Sequence, residues 1–140
     1  MTIRLATCAD YKRIALALRN KGIEYITPAH ARADIDNARL YVLTDGDTIV
    51  GQCALVYEPN HEYHAIKRLV VYNKRYCGRG VAQQFISFFC AMNLPALGCT
   101  PWTENAKMRH LLVKNGFVHQ YTFLSCYEFY KKVLDKPAQV

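Results

Sequence analysis

The residues with the clearest chemical potential are Gly78-Arg79-Gly80, which follow a β-rich run and stand immediately before a helical pattern. A strand that turns through glycines into a helix gathers unpaired backbone N–H groups at the positive end of the helix dipole. Such a volume attracts an anion. A side chain at Gly78 or Gly80 would hold a diphosphate away from those amides, and Arg79, with Lys74 and Arg75 nearby, adds positive charge. Taken alone, Gly-x-Gly before a helix is read equally well as a tight turn with no ligand.

The elements that must position this loop follow from local signals. A short strand at residues 2–6 leads to Thr7 and Asp10, a capping box with Asp in place of Glu, and Tyr11, Ile14 and Leu18 recur at helical spacing until Lys21-Gly22. Thr27-Pro28 opens a second, shorter helix that ends near Asn37. Residues 39–43 and 48–57 form a predicted hairpin through Asp45-Gly46, and 64–72 continue as another strand. Val81, Phe85, Ile86 and Phe89 then mark a helix over 80–92, stopped by Leu94-Pro95. A strand at 97–100, a helix over 105–114 capped by Asn115-Gly116, and an aromatic strand pair at 117–124 and 126–133 complete the chain. The order β-α-α-β-β-β-α-β-α-β-β predicts an α/β fold of the α+β kind, a mixed sheet with helices on both faces.

Composition narrows the setting. With 140 residues, 51% of them hydrophobic, and no linker-like stretch, residues 1–140 read as one globular domain. No apolar run approaches the roughly 20 residues of a membrane helix, and the N-terminus lacks a secretory pattern, so a soluble cytoplasmic protein is expected and a membrane role is not. The six cysteines are scattered without metal-ligand or disulfide spacing, which predicts free thiols and no metal. A net charge of +7 suits nucleic acid, an acidic membrane face or a phosphorylated cofactor alike. No recognition-helix or aromatic stacking signature points to specific nucleic-acid binding.

In this context the chain resembles the GNAT acetyltransferase superfamily along nearly its whole length. Ile3-Arg4-Leu5-Ala6-Thr7 with Asp10 is similar to the family's opening strand and helix start, and Ile66-Lys67-Arg68-Leu69-Val70-Val71 to its fourth strand. Gly78-Arg79-Gly80-Val81-Ala82 resembles its pyrophosphate loop, and Asn105 through Gly116-Phe117 its later helix. In the register that suits Phe85, Ile86 and Phe89, Cys77 stands where the family has Arg or Gln, and one extra residue separates Val71 from the loop. The alternative register, through Arg75, misplaces those apolar positions.

The resemblance implies a mostly antiparallel GNAT-like sheet and acetyl-CoA as cosubstrate, with an amine attacking the thioester directly. It implies that backbone N–H groups at Leu69, Val70 and Val71 hold the thioester oxygen, that Cys77, Gly78, Arg79, Gly80, Val81 and Ala82 hold the diphosphate, and that Asn105 bonds the cofactor arm. Two family residues are missing. The tyrosine that serves as acid to the thiolate is Leu112 here, and the fourth-strand glutamate is Ala65. Glu62 and His64, at the end of the predicted hairpin, are the substitutes to consider as base, each equally a solvated turn residue.

Cys126 reads first as a buried, inert thiol. Tyr121, Phe123, Tyr127, Phe129 and Tyr130 suit core packing as well as an acceptor pocket, Trp102 is similarly divided, and Tyr25 and His30 read as solvent-facing. The expected activity is N-acetylation of a small-molecule or peptide amine. Its alternative is a coenzyme A-binding sensor without turnover, and homodimer formation is left open.

Overall fold

A computed structural model describes residues 1–134, so residues 135–140 of the expected domain lie outside the described residues. The elements are β1 (Thr2–Leu5), α1 (Tyr11–Lys21), α2 (Pro28–Asp36), β2 (Leu40–Asp45), β3 (Thr48–Glu58), β4 (Tyr63–Val71), α3 (Val81–Cys90), β5 (Ala96–Cys99), α4 (Ala106–Lys114), β6 (Val118–Phe123) and β7 (Tyr127–Val133). The seven strands form one mixed, mostly antiparallel sheet in the order β1-β2-β3-β4-β5-β7-β6, flanked by the four α-helices. The chain divides into two compact units, Met1–Leu55 with Arg68–Phe85, and Val56–Lys67 with the chain from Ile86 onward.

In the first unit, β1 pairs antiparallel with β2 (Ile3 opposite Leu43) and β2 with β3 (Val42 opposite Gln52). Its core is built from Ile14 and Leu18 of α1 with Leu40, Val42, Leu43 and Val50, all buried. Burying each such side chain contributes about 1.5–3 kcal/mol. The first helix starts with a 3-10 turn, Cys8–Asp10, before the α-helical run. The Asp10 carboxylate accepts the Thr7 N–H at 2.8 Å and a forked pair from Arg4 at 2.8 and 2.9 Å. Those Arg4 bonds, chiefly, hold its carboxyl well below the usual carboxylate range. Gly22 at φ 72° closes α1, and Thr27 caps α2, accepting the His30 N–H through its hydroxyl.

In the second unit, β4 runs parallel to β5 (Ile66 opposite Cys99), β5 antiparallel to β7 (Cys99 opposite Tyr130), and β7 antiparallel to β6 (Tyr121 opposite Phe129). Ile86, Phe89, Leu97 and Leu112 are fully buried. The aromatic strand pair corrects the core-packing expectation in part. Phe129 and Tyr130 are buried, but β6, the last strand in the order, is exposed along its whole length. Cys126 is half-buried rather than buried.

Candidate functional site

The Gly-rich loop belongs to the first unit, and its conformation is held from both sides. After β4 the chain makes a 3-10 turn, Lys74–Tyr76, capped by the Asn73 side chain, which accepts the Arg75 N–H at 3.0 Å. Tyr76 is buried, and its hydroxyl donates to Asp45 Oδ2 at 3.0 Å at the end of β2, while the Arg75 guanidinium lies 5.1 Å over its ring. Arg79 N–H then returns to the Tyr76 carbonyl at 3.3 Å. On the far side, Val81, Phe85, Ile86 and Phe89 seat α3 with at most 3% exposure, which fits the register in which Cys77 precedes the loop.

Gly78 and Gly80 both have φ 76°, and a Cβ at either would meet no heavy atom within 4 Å. Glycine is therefore required by the left-handed backbone, whereas the space in front of the loop is open to an approaching group. Gln84 donates the first helical bond, to the Gly80 carbonyl at 2.9 Å, so the Val81 and Ala82 amides have no acceptor within α3. Lys74, Arg75 and Arg79, in the same segment of chain, are exposed. Orphan amides, a helix N-terminus and three cations form a donor set that fits a diphosphate.

The strand feeding the loop carries a kink that sequence reasoning missed. Arg68 has φ 51°, a left-handed conformation uncommon for a side chain of its size. Its guanidinium makes two bonds to Asp34, Nε to Oδ2 at 2.7 Å and a terminal N–H to Oδ1 at 2.8 Å, and Arg39 Nε reaches the same Oδ1 at 2.7 Å. The Asp34 side chain is 1% exposed. The Arg68 carbonyl accepts from the buried Gln52 amide at 3.2 Å, and Gln52 accepts the Tyr72 hydroxyl at 2.6 Å. These contacts fix the backbone directly before Leu69, Val70 and Val71. A glycine completes the fit: a Cβ on Gly51 would stand 2.6 Å from the Val70 carbonyl oxygen, a backbone atom with little freedom to give way. Gly51→Ala should therefore lower stability by about 1–3 kcal/mol, read by urea denaturation, and a variant as stable as the parent would contradict the close approach.

The remaining candidates, Tyr25 and His30 apart, lie in the second unit. Asn105 is exposed and caps α4, its Oδ1 accepting the Met108 N–H at 3.1 Å, which leaves its amide N–H groups freer for a ligand than the oxygen. Glu62 is an exposed turn residue at φ 56° whose N–H bonds the Glu58 carbonyl at 3.0 Å. His64 is half-buried, with its ring 5.0 Å from Tyr57, and its buried Nδ1 has no partner among the described residues. Burial lowers its pKa, which favours neutral imidazole. Leu112 and Ala65 are both buried, so both positions serve the core. Trp102, which is exposed, bridges to Tyr127, and Tyr25 and His30 are exposed as expected.

A second cluster gave no local signal because its members are scattered over 103–128. The Glu128 carboxylate accepts Thr103 Oγ1 at 2.6 Å and Thr122 Oγ1 at 2.7 Å, and lies 2.7 Å from His119 Nε2. The Thr103 and Thr122 hydroxyls, then His119, bring its pKa down to about 2. A lowered carboxylate adds stability above its unfolded pKa, and that stability is lost as pH falls through the folded value. Wild-type protein should thus exceed Glu128→Gln in urea midpoint at pH 6, and the gap should close as pH falls from 4.5 toward about 2. A gap unchanged at pH 2.5 would contradict this coupling.

No protein-family model matches the chain, and no curated protein does. Solved structures do. An acetyltransferase of the GNAT family from Streptococcus agalactiae superposes with TM-score 0.79 at 20% identity, covering 96% of each chain. Ard1 from Thermoplasma volcanium gives 0.78 at 18% identity over 96% of this chain and 98% of its own. Spermidine N-acetyltransferase from Vibrio cholerae, in complex with CoA and spermine, gives 0.75 at 15% identity over 95% of both.

Proposed function

From a chain that carries the GNAT acetyltransferase fold, we propose an acetyl-CoA-dependent N-acetyltransferase that modifies a primary amine of a small-molecule or peptide acceptor. The observation that carries this reading is the loop: two left-handed glycines open to approach, followed by the Val81 and Ala82 amides, which have no acceptor within α3, with Lys74, Arg75 and Arg79 exposed in the same segment. The reading takes residues 1–140 as a single acetyltransferase domain. All six cysteines are free thiols, which supports a reducing, cytoplasmic setting.

Acetyl-CoA supplies an activated thioester and a diphosphate by which to be held. Gly78, Arg79, Gly80, Val81 and Ala82, with the backbone of Cys77, bind that diphosphate. The N–H groups among Leu69, Val70 and Val71 orient the carbonyl and stabilise the negative charge that develops on its oxygen, a role that needs a backbone held still. The Asp34–Arg68 contacts supply that rigidity. Asn105 contributes an amide N–H, its oxygen being committed to the α4 cap. An acceptor ammonium must lose a proton before it can attack, and His64, kept neutral by burial, accepts it, with Glu62 as the second candidate.

One observation favours a second reading, a coenzyme A-binding sensor: Leu112 and Ala65 are buried where the family resemblance expects catalytic side chains. Free-thiol release separates the two. Protein saturated with acetyl-CoA and offered alkylamines, arylalkylamines, amino acids, peptides, lysine-bearing proteins and polyamines should give sustained multiple turnover with at least one class. Retained acetyl-CoA binding with no turnover on any amine would overturn the enzyme in favour of the sensor.

A further inference from the structure

On the second unit, α4 and β7 line an open groove of about 580 Å³, bordered by Ala106, Lys107, Arg109, His110, Val113 and Tyr130. That volume is within the range of small-molecule sites. None of these residues has a part in the acetyl-transfer reading. The lining has a marked division of character. Val113, Ala106 and the buried ring of Tyr130 give it an apolar wall, and Lys107, Arg109 and His110 are its ionisable side chains besides that phenol. No acid lines it, and no carboxylate among the described residues pairs with those basic groups. The nearest acid along the strand, Glu128, is already engaged by Thr103, Thr122 and His119.

Arg109 is half-buried, its Nε enclosed by protein and not open to the groove. The planar fork of arginine matches carboxylate and phosphate oxygens, while lysine adds a mobile point charge.

We infer that this groove is a binding site for a small organic anion, a phosphate or carboxylate carried on an apolar or aromatic body. The anionic group pairs with Arg109 and Lys107, with His110 beside them. The apolar body lies against Val113 and Tyr130.

Phenyl phosphate, phenylacetate and inorganic phosphate are the probes, titrated into the full chain with the Val113 methyl, Tyr130 ring and Gly78 and Gly80 amide NMR signals followed separately. Phenyl phosphate should shift Val113 and Tyr130 saturably, and inorganic phosphate should bind the groove about tenfold more weakly for lack of an apolar body. Phenylacetate binding more tightly than phenyl phosphate would identify the carboxylate as the preferred head group, and weaker binding the phosphate. Lys107→Glu, at an exposed position, should weaken phenyl phosphate at the groove by about tenfold or more, and Arg109→Gln by a similar factor. Should Arg109→Gln fail to fold, Lys107→Glu decides alone. Shifts confined to Gly78 and Gly80, no saturable shift at Val113 and Tyr130, or unchanged affinity in Lys107→Glu would each overturn the site. Loss of acetyl-CoA binding to the loop would leave this result untouched, so the two readings fail separately.

Discussion

Asp34→Ala is expected to lower folding stability by about 3 kcal/mol and Tm by roughly 10 °C. The Asp34 carboxylate is 1% exposed and receives Arg39 and the forked Arg68. Its removal leaves both guanidinium groups without their anion. Because those side chains are 34% and 21% exposed, water recovers part of the loss, which keeps the effect at the lower end for a broken buried pair. A second consequence separates this contact from ordinary packing. Arg68 occupies a left-handed conformation that costs about 1–3 kcal/mol, and Asp34 holds it there. Acetyl-CoA affinity should therefore fall in Asp34→Ala even at temperatures where the chain is fully folded, as Leu69 to Val71 lose their fixed geometry. Asp34→Asn, which keeps the shape and removes the charge, should lie between variant and parent. A stability loss below ~1 kcal/mol by urea denaturation would show that the cluster acts only as a surface ion pair.

Gly80→Glu should abolish acetyl-CoA binding, by more than a hundredfold in calorimetry, and leave the fold largely intact. The position has φ 76°, and a Cβ placed there has no atom within 4 Å, so a side chain meets backbone strain but no clash. That strain is about 1–2 kcal/mol, partly offset because a carboxylate at a helix N-terminus is favourable by about 0.3–1 kcal/mol. The same carboxylate then occupies the volume proposed for the diphosphate and repels it. Gly80→Ala carries the strain without the charge, so a loss confined to glutamate would identify the anion site itself. Unchanged affinity in Gly80→Glu would remove the loop from the cofactor assignment.

Much of the fold was legible because its signals are short. Thr27-Pro28, Asp45-Gly46, Lys21-Gly22 and Asn115-Gly116 each mark an element end through a cap or turn within two residues, and the apolar spacing of Val81, Phe85, Ile86 and Phe89 needs only one helix to be recognised. The loop glycines were legible for the same reason. Asn105 was half legible: its type marks a helix cap as readily as a ligand contact, and its oxygen is committed to the cap. What escaped was long-range. Asp34 and Arg68 are 34 residues apart, and nothing in either neighbourhood announces a left-handed arginine within a strand. Glu128 draws its donors from Thr103, His119 and Thr122, a set that exists only once the strands have paired. Gly51 did leave a trace, since a glycine inside a β-rich run often marks a close backbone approach.

The exposure of β6 bears on how molecules of this chain meet one another. An outer strand carrying Val118, Tyr121 and Phe123 in the open is the kind of edge on which a stray strand can nucleate, and from which aggregation grows. Its ladder with β7, however, shifts register between His119 and Tyr121. A bulge of that kind twists the strand and splits its outer edge into two short stretches, 118–119 and 121–123, that do not continue one another. An incoming strand can match one stretch or the other, but not both in a single register, so the irregularity guards a surface that the aromatic side chains would otherwise make adhesive.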